Sequence, residues 1–217
     1  MKNILIIFCI IYFTTSFSQE NNYPEGIYMN FDEVINKRPS KDYNVELEKR
    51  SVAKIKMNGG NDYQLNSLDK SIKRKVLKKQ VYAYSDGNKL YLNCFKHKVQ
   101  TWYSEVLSDQ DYFIFKASIP LQTQKFNYKI KELTNGKFIG FGGAFSGMKL
   151  AMLRFPYILN KKSQKVSLIT NKNIRDFISS NRVLLSRYEK EPNKNDLDII
   201  MSYIIEWNET KIDANKI

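Results

Sequence analysis

The stretch VYAYSDGNKLYLN, residues 81–93, sets tyrosines, leucines, a valine and an alanine on both sides of Asp86-Gly87. Asp-Gly supplies the backbone that a tight reversal needs, and the flanking residues suit strands, so the stretch predicts an antiparallel hairpin. Downstream, residues 102–107 and 112–119 read as two further strands around the polar turn Ser108-Asp109-Gln110-Asp111. Residues 126–133 add another strand that ends at Asn135-Gly136, and residues 155–159 and 166–169 form a hairpin across a polar turn at 160–164.

Upstream of the hairpin, Tyr23-Pro24-Glu25-Gly26 is turn chemistry and Ile27-Tyr28-Met29 a short strand. Asn30 with Glu33 three residues on imitates a capping box, so residues 31–36 are expected to form a short helix ended by Pro39. Between 43 and 57 the positions of Val45, Leu47, Val52, Ile55 and Met57 predict half-buried strands, closed by the turn Asn58-Gly59-Gly60-Asn61. After residue 170 the period changes from two to that of helices. Thr170 or Asn171 can cap a helix through Phe177 and Ile178, a second covers 183–188, and a third carries Leu197, Ile200, Met201, Ile204 and Ile205 on one stripe.

The most apolar internal segment is FIGFGGAFSGMKLAMLRFPYIL, residues 138–159, with Gly140, Gly142, Gly143 and Gly147. A helical count puts Phe141, Ala144, Phe145, Met148, Met152 and Phe155 on one side and Gly140, Gly143 and Gly147 on a neighbouring small face, against which another segment can lie closely. Gly143-x-x-x-Gly147 also has the spacing of touching membrane helices, but Lys149, Arg154 and Pro156 interrupt the run well short of the roughly 20 apolar residues a span needs. A buried helix or turn is the expected reading, and no span is expected once the N-terminus is removed. Gly140, Gly143, Gly147 and Phe145 are the first set of candidate partner-binding residues.

Residues 1–19 combine Lys2, an apolar run at 4–13 and small or polar residues up to Gln19, which is the order of a secretory signal peptide. Export to the periplasm, the outer membrane or the medium is expected, with residues 20–217 as one α+β domain and 170–217 as its helical C-terminal subregion. Cys9 leaves with the signal, so Cys94 has no partner for an intramolecular disulfide. The net charge is +13, and a basic exported chain is drawn to anionic envelope components. The densest cluster is KSIKRKVLKK, residues 70–79, with Ile72, Val76 and Leu77 inward on a short helix. Lys73, Arg74, Lys75 and Lys78 are the second candidate set, for phosphate or acidic sugar; no aromatic residue interleaves for base stacking, so nucleic acid is not the expected partner.

Catalytic motifs are sparse. His97 is the one histidine, which excludes a His-based zinc cage within the chain, and Cys94-x-x-His97 is the one pair that could act as nucleophile and base. Asp109-x-Asp111 could contribute oxygens to a hard cation but lacks a third donor at fixed spacing, while Asp196 and Asp198 suit the first turn of a helix. The glycines of 140–147 fit neither a P-loop nor a dinucleotide fingerprint, and GxSxG and HExxH do not occur. No catalytic residue, metal ligand or cofactor is assigned.

The ending SFSQ, the opening PEGIYMNFDEVINKRPS at 24–40, the hairpin VYAYSDGNKLYLN and the segment RFPYILNKKSQKVSLIT together resemble a family of uncharacterised secreted proteins of Bacteroidota-type Gram-negative bacteria. The resemblance implies export and transfers no catalytic residue. The expected fold is therefore α+β: antiparallel hairpins, a Gly-rich buried helix or turn and a C-terminal run of short helices. The expected function is a non-enzymatic envelope or secreted protein that binds a ligand or another envelope protein. A hydrolase of an envelope polymer is the alternative.

Overall fold

A computed structural model describes residues 23–41, 43–119 and 144–214. The hairpin that the sequence announces at 81–93 lies inside an antiparallel sheet that has nine strands among the described residues, as β4 (Ala83–Ser85) and β5 (Leu90–Asn93). At its tip Gly87 has φ +88°, and Asp86 Oδ1 accepts from the N–H groups of Asn88 and Lys89 at 2.9 and 2.7 Å. The Asp side chain thus replaces backbone partners that a turn would otherwise leave unmet.

On one side β4 pairs with β1 (Gly26–Tyr28). On the other, β5 pairs with β6 (Tyr103–Asp109), followed by β7 (Tyr112–Ala117), β8 (Phe155–Asn160) and β9 (Val166–Leu168). The register of β6 against β7 shifts between Val106 and Ser108. A second hairpin, β2 (Val45–Lys49) with β3 (Tyr63–Ser67), joins the sheet through Tyr63 opposite Tyr103. Because β5 occupies the other edge of β6 at Tyr103, β3 continues the line of β7 end to end. Ser118, just past β7, seals that junction by donating its N–H to Asn61 Oδ1 at 2.8 Å and its hydroxyl to the Gly60 carbonyl at 3.1 Å.

Most of the sheet is covered on both faces, which accounts for strands of uninterrupted apolar character. In β7, Phe113 and Phe115 enter one core with Leu92, Phe155, Tyr157 and Leu159, while Ile114 enters another. The first core is completed by α1 (Phe31–Ile35), where Asn30 Oδ1 accepts from Glu33 N–H at 3.0 Å. Glu33 reaches back to the N–H of Met29 at 2.6 Å, one residue earlier than a standard capping box would.

Behind Ile114 and Ile158 lie α5 (Ile174–Ile178), α6 (Arg182–Glu189) and α7 (Leu197–Ala214). Ile200, Met201 and Ile204 are buried as the stripe predicts, and the fully buried Asn208 donates to Ser108 Oγ at 2.9 Å and to the Tyr112 carbonyl at 3.0 Å, fastening α7 to the β6–β7 turn. The cap of α5 is not as expected: the helix begins after Asn173, whose Oδ1 accepts from Thr170 N–H at 2.8 Å.

Two further expectations are corrected. Residues 43–57 were expected as strands, but only β2 is one; α2 (Val52–Asn58) is a helix capped by Ser51, whose Oγ accepts from Lys54 N–H at 3.3 Å. Val52 and Ile55 favour strands intrinsically, but the cap and the docking of α2 beside α4 (Ala144–Met152) override that preference. The helical count from Phe141 to Phe155 ends early, because α4 stops at Met152 and Phe155 opens β8. Among the described residues no helix is long and apolar enough to cross a membrane. Gly140, Gly142 and Gly143, and the strand expected at 126–133, lie outside the described residues.

Candidate functional site

The basic run of 70–79 becomes α3 (Arg74–Lys79), with Ile72 and Leu77 buried and Val76 half-buried, as the spacing requires. Its placement of charge opposes its own stability. Lys73 stands at the N-cap without a side-chain cap bond, and Arg74 and Lys75 occupy the positive end of the helix. Arg74 with Lys78 and Lys75 with Lys79 are like-charge neighbours four residues apart, each unfavourable by about 0.2–0.5 kcal/mol.

These side chains form one wall of a groove of about 890 Å³, whose floor is Arg50 and Trp102 and whose far wall is Glu48, Gln64 and Asn66 of the β2–β3 hairpin. Arg74, Lys75 and Lys78 of the expected set line it together with Lys79; Lys73 does not. Phe145 and Gly147 belong to α4.

Trp102 is buried, and Arg50, Arg74 and Lys78 lie 5.9, 5.2 and 5.2 Å from its ring centroid. The ring attracts each of the three cations and so holds them close together against their mutual repulsion. Burial, then Arg74, Lys79 and Arg50, push the Lys78 ammonium below its ordinary pKa. Elsewhere Lys89, Arg154, Lys161, Arg175, Arg187 and Lys194 each face a carboxylate. Among the described residues Arg74, Lys75, Lys78 and Lys79 face none.

Arg50 is 5% exposed, and it too has no carboxylate bound to it. Its Nη1 donates to the carbonyls of Gly59 and Asn61 at 2.8 and 2.7 Å, so the Gly59-Gly60-Asn61 turn wraps the guanidinium. Desolvation and the nearby Arg154 lower its pKa, with Asp62 acting in the opposite sense. The wrap requires glycine: Gly60 has φ +86°, and a Cβ there would meet Thr101 Oγ1 at 2.9 Å and Trp102 Cδ1 at 3.0 Å. Gly60→Ala is expected to lower stability by about 1–2 kcal/mol in a urea titration, from the left-handed backbone alone.

The loop that presents Trp102 is held in a rare conformation, with φ +59°, +68° and +76° at Lys98, Gln100 and Trp102. Its bonds over-determine it: Thr101 O accepts from Asn61 N–H at 2.9 Å, Trp102 O from Cys94 N–H at 2.9 Å, and Gln100 donates to Ile119 O at 2.8 Å.

On the far wall Glu48 accepts from Lys54 at 2.5 Å, from Gln64 at 2.6 Å and from Asn66 at 2.9 Å. These donors, Lys54 first, hold its carboxyl down at about 2. Such a group is a hydrogen-bond acceptor, not a proton donor.

The other sequence candidates are placed less favourably for chemistry. Cys94 and His97 share a 3-10 turn (Cys94–His97), but the thiol is fully buried and pushed up to about 12 by desolvation, so little thiolate exists to attack anything. The His97 ring packs edge-on against Tyr82 at 5.3 Å rather than against the thiol. Asp109 accepts from Tyr23 OH and is paired with Lys161, and no group of three or more potential metal ligands occurs among the described residues. What sequence reasoning missed was Arg50, Trp102 and the Glu48–Gln64–Asn66 wall. Only the density of lysine around 70–79 pointed there.

An antiparallel sheet with helices against it, and a basic groove where a satellite hairpin meets it, define an α+β protein. By sequence the chain belongs to a family of unknown function (DUF6563), whose model matches residues 26–211. No curated protein and no solved structure matches it.

Proposed function

We propose that this is an exported, non-catalytic protein that binds an anionic component of the bacterial envelope through the groove between α3 and the β2–β3 hairpin. The observation that carries the reading is that Arg50, Arg74 and Lys78 converge on the one Trp102 ring without an ion pair to a carboxylate among the described residues. A helix that gathers like charges at some cost to itself is explained by a ligand that supplies the opposite charge. Export rests on residues 1–19 and on the family resemblance carried by the sequence. A hydrolase would need carboxylates converging in the cleft; the groove offers Glu48, which its donors keep ionised.

The test compares equal losses of charge at two places. Residues 20–217 carrying Lys75→Gln and Lys79→Gln are expected to elute from dextran sulfate at clearly lower salt than the parent, with unfolding stability unchanged or slightly raised as like-charge repulsion is relieved. Lys162→Gln with Lys190→Gln, exposed positions outside the groove, is expected to shift elution much less. Equal shifts for the two pairs would reduce binding to net charge and sink the groove.

A further inference from the structure

The groove has two chemically different walls. We infer that its ligand is a compact anionic carbohydrate, a sugar bearing a phosphate or sulfate ester, and not a nucleic acid strand or a lipid surface; this rests on the anion-binding reading above. The ester faces the cations around Trp102, and the sugar hydroxyls face the β2–β3 wall.

The cationic side suits an oxyanion because Arg74 and Lys78 converge on one ring and Arg50 is buried beneath them with its charge unpaired. A buried guanidinium is normally paired. The opposite wall suits hydroxyls. Gln64 Nε2 and Asn66 Nδ2 are committed to Glu48, but Gln64 Oε1 and the Asn58 amide make no hydrogen bond among the described residues, and the Glu48 carboxylate has acceptor capacity left. A carboxylate at this place accepts from a hydroxyl and repels a second anionic group, so it disfavours a strand with a charge at every repeat.

Nucleic acid is further disfavoured because the aromatic ring in the groove, Trp102, is 4% exposed and covered by cations, which leaves no face for a base. A lipid is disfavoured because the remaining lining is polar or charged, with nowhere to seat an acyl chain.

Titrating residues 20–217 with glucose-6-phosphate, glucose-6-sulfate, inorganic phosphate, inorganic sulfate and oligothymidylate, followed by thermal shift and calorimetry, tests this. One sugar ester is expected to bind at least about tenfold more tightly than its free ion, the gain of two or three hydroxyl hydrogen bonds. Comparison of the two esters identifies which is the ligand type. Glu48→Gln is expected to shrink that preference while retaining affinity for the free ion, and Lys75→Gln with Lys79→Gln to weaken both. Free ions that match the esters would overturn the carbohydrate inference and leave a simple anion site. Oligothymidylate binding more tightly than either ester would overturn it in favour of nucleic acid. No binding of any probe would remove the anion-binding reading as well.

Discussion

Replacing Arg154 by methionine is expected to lower the unfolding free energy by about 3 kcal/mol, the order found when one partner of a largely buried ion pair is removed. Arg154 has 12% of its side chain exposed and joins three parts of the molecule. Its Nε and Nη2 donate to Asp62 at 2.9 and 2.7 Å, beside β3. Its Nη1 donates to Ser118 Oγ at 3.0 Å, past the end of β7, and to the carbonyls of Ala151 and Leu153 at 2.8 Å each, at the C-terminal end of α4. Methionine retains much of the packing volume, so the loss reports the bonds: a carboxylate without its cation, and helix-end carbonyls without their donor. Asp62 is a third exposed, so water recovers part of its solvation and the cost stays below that of a fully buried pair. Chemical denaturation of Arg154→Met beside Asp62→Asn measures this. Losses that add in the double substitution, with no coupling between the two sites, would show that the pair does not hold the satellite hairpin to the sheet.

The second large effect depends on pH. His97 is the chain's only histidine, and burial beside the Tyr82 and Phe115 rings, with Lys96 adjacent, lowers its pKa to about 4. Its Nε2 is buried without a partner. The folded protein therefore prefers the neutral imidazole, whereas the unfolded chain takes up the proton near pH 6.5. Stability is complete above that value, falls as the pH drops from about 6.5 towards 4, and levels off below; the shift corresponds to about 3 kcal/mol. Carboxylates held below their usual range, such as Glu48 and Glu189, lose their contribution at lower pH still, so the two effects separate. His97→Phe removes the proton site and preserves an aromatic ring. The variant is expected to match or exceed the parent near neutral pH and to surpass it by about 3 kcal/mol near pH 4. Because no other histidine contributes, the imidazole proton resonances also report the pKa directly. A midpoint near the ordinary value would mean that the ring is hydrated.

The local elements were legible wherever the signal lay within a few residues. Asp86-Gly87 between apolar flanks, Asn30 with Glu33, and the stripe from Leu197 to Ile205 each became the hairpin, the capped helix and the docked helix they announce. Where the signal was weak, reading failed. Tyr63-Gln64-Leu65-Asn66-Ser67 has too few apolar residues to declare β3, whose pairing with β2 comes from its partner. Val52 and Ile55 declared a strand, and a serine cap with neighbouring packing made a helix.

For the site, composition and short spacing suffice to show that the chain is basic and that the charge is densest at 70–79. The interior of β5, β7 and β8 is legible in the same way, since an apolar run is committed to burial whatever covers it. The meeting of Arg50, Trp102 and Glu48 with α3 arises from long-range pairing alone. Their separation along the chain is bridged by strand register, Tyr63 opposite Tyr103 and Glu48 opposite Gln64, and by a left-handed loop that turns Trp102 toward the helix. Register is set by the pairing of whole strands and the cores they bury, so no local pattern around these residues encodes their meeting.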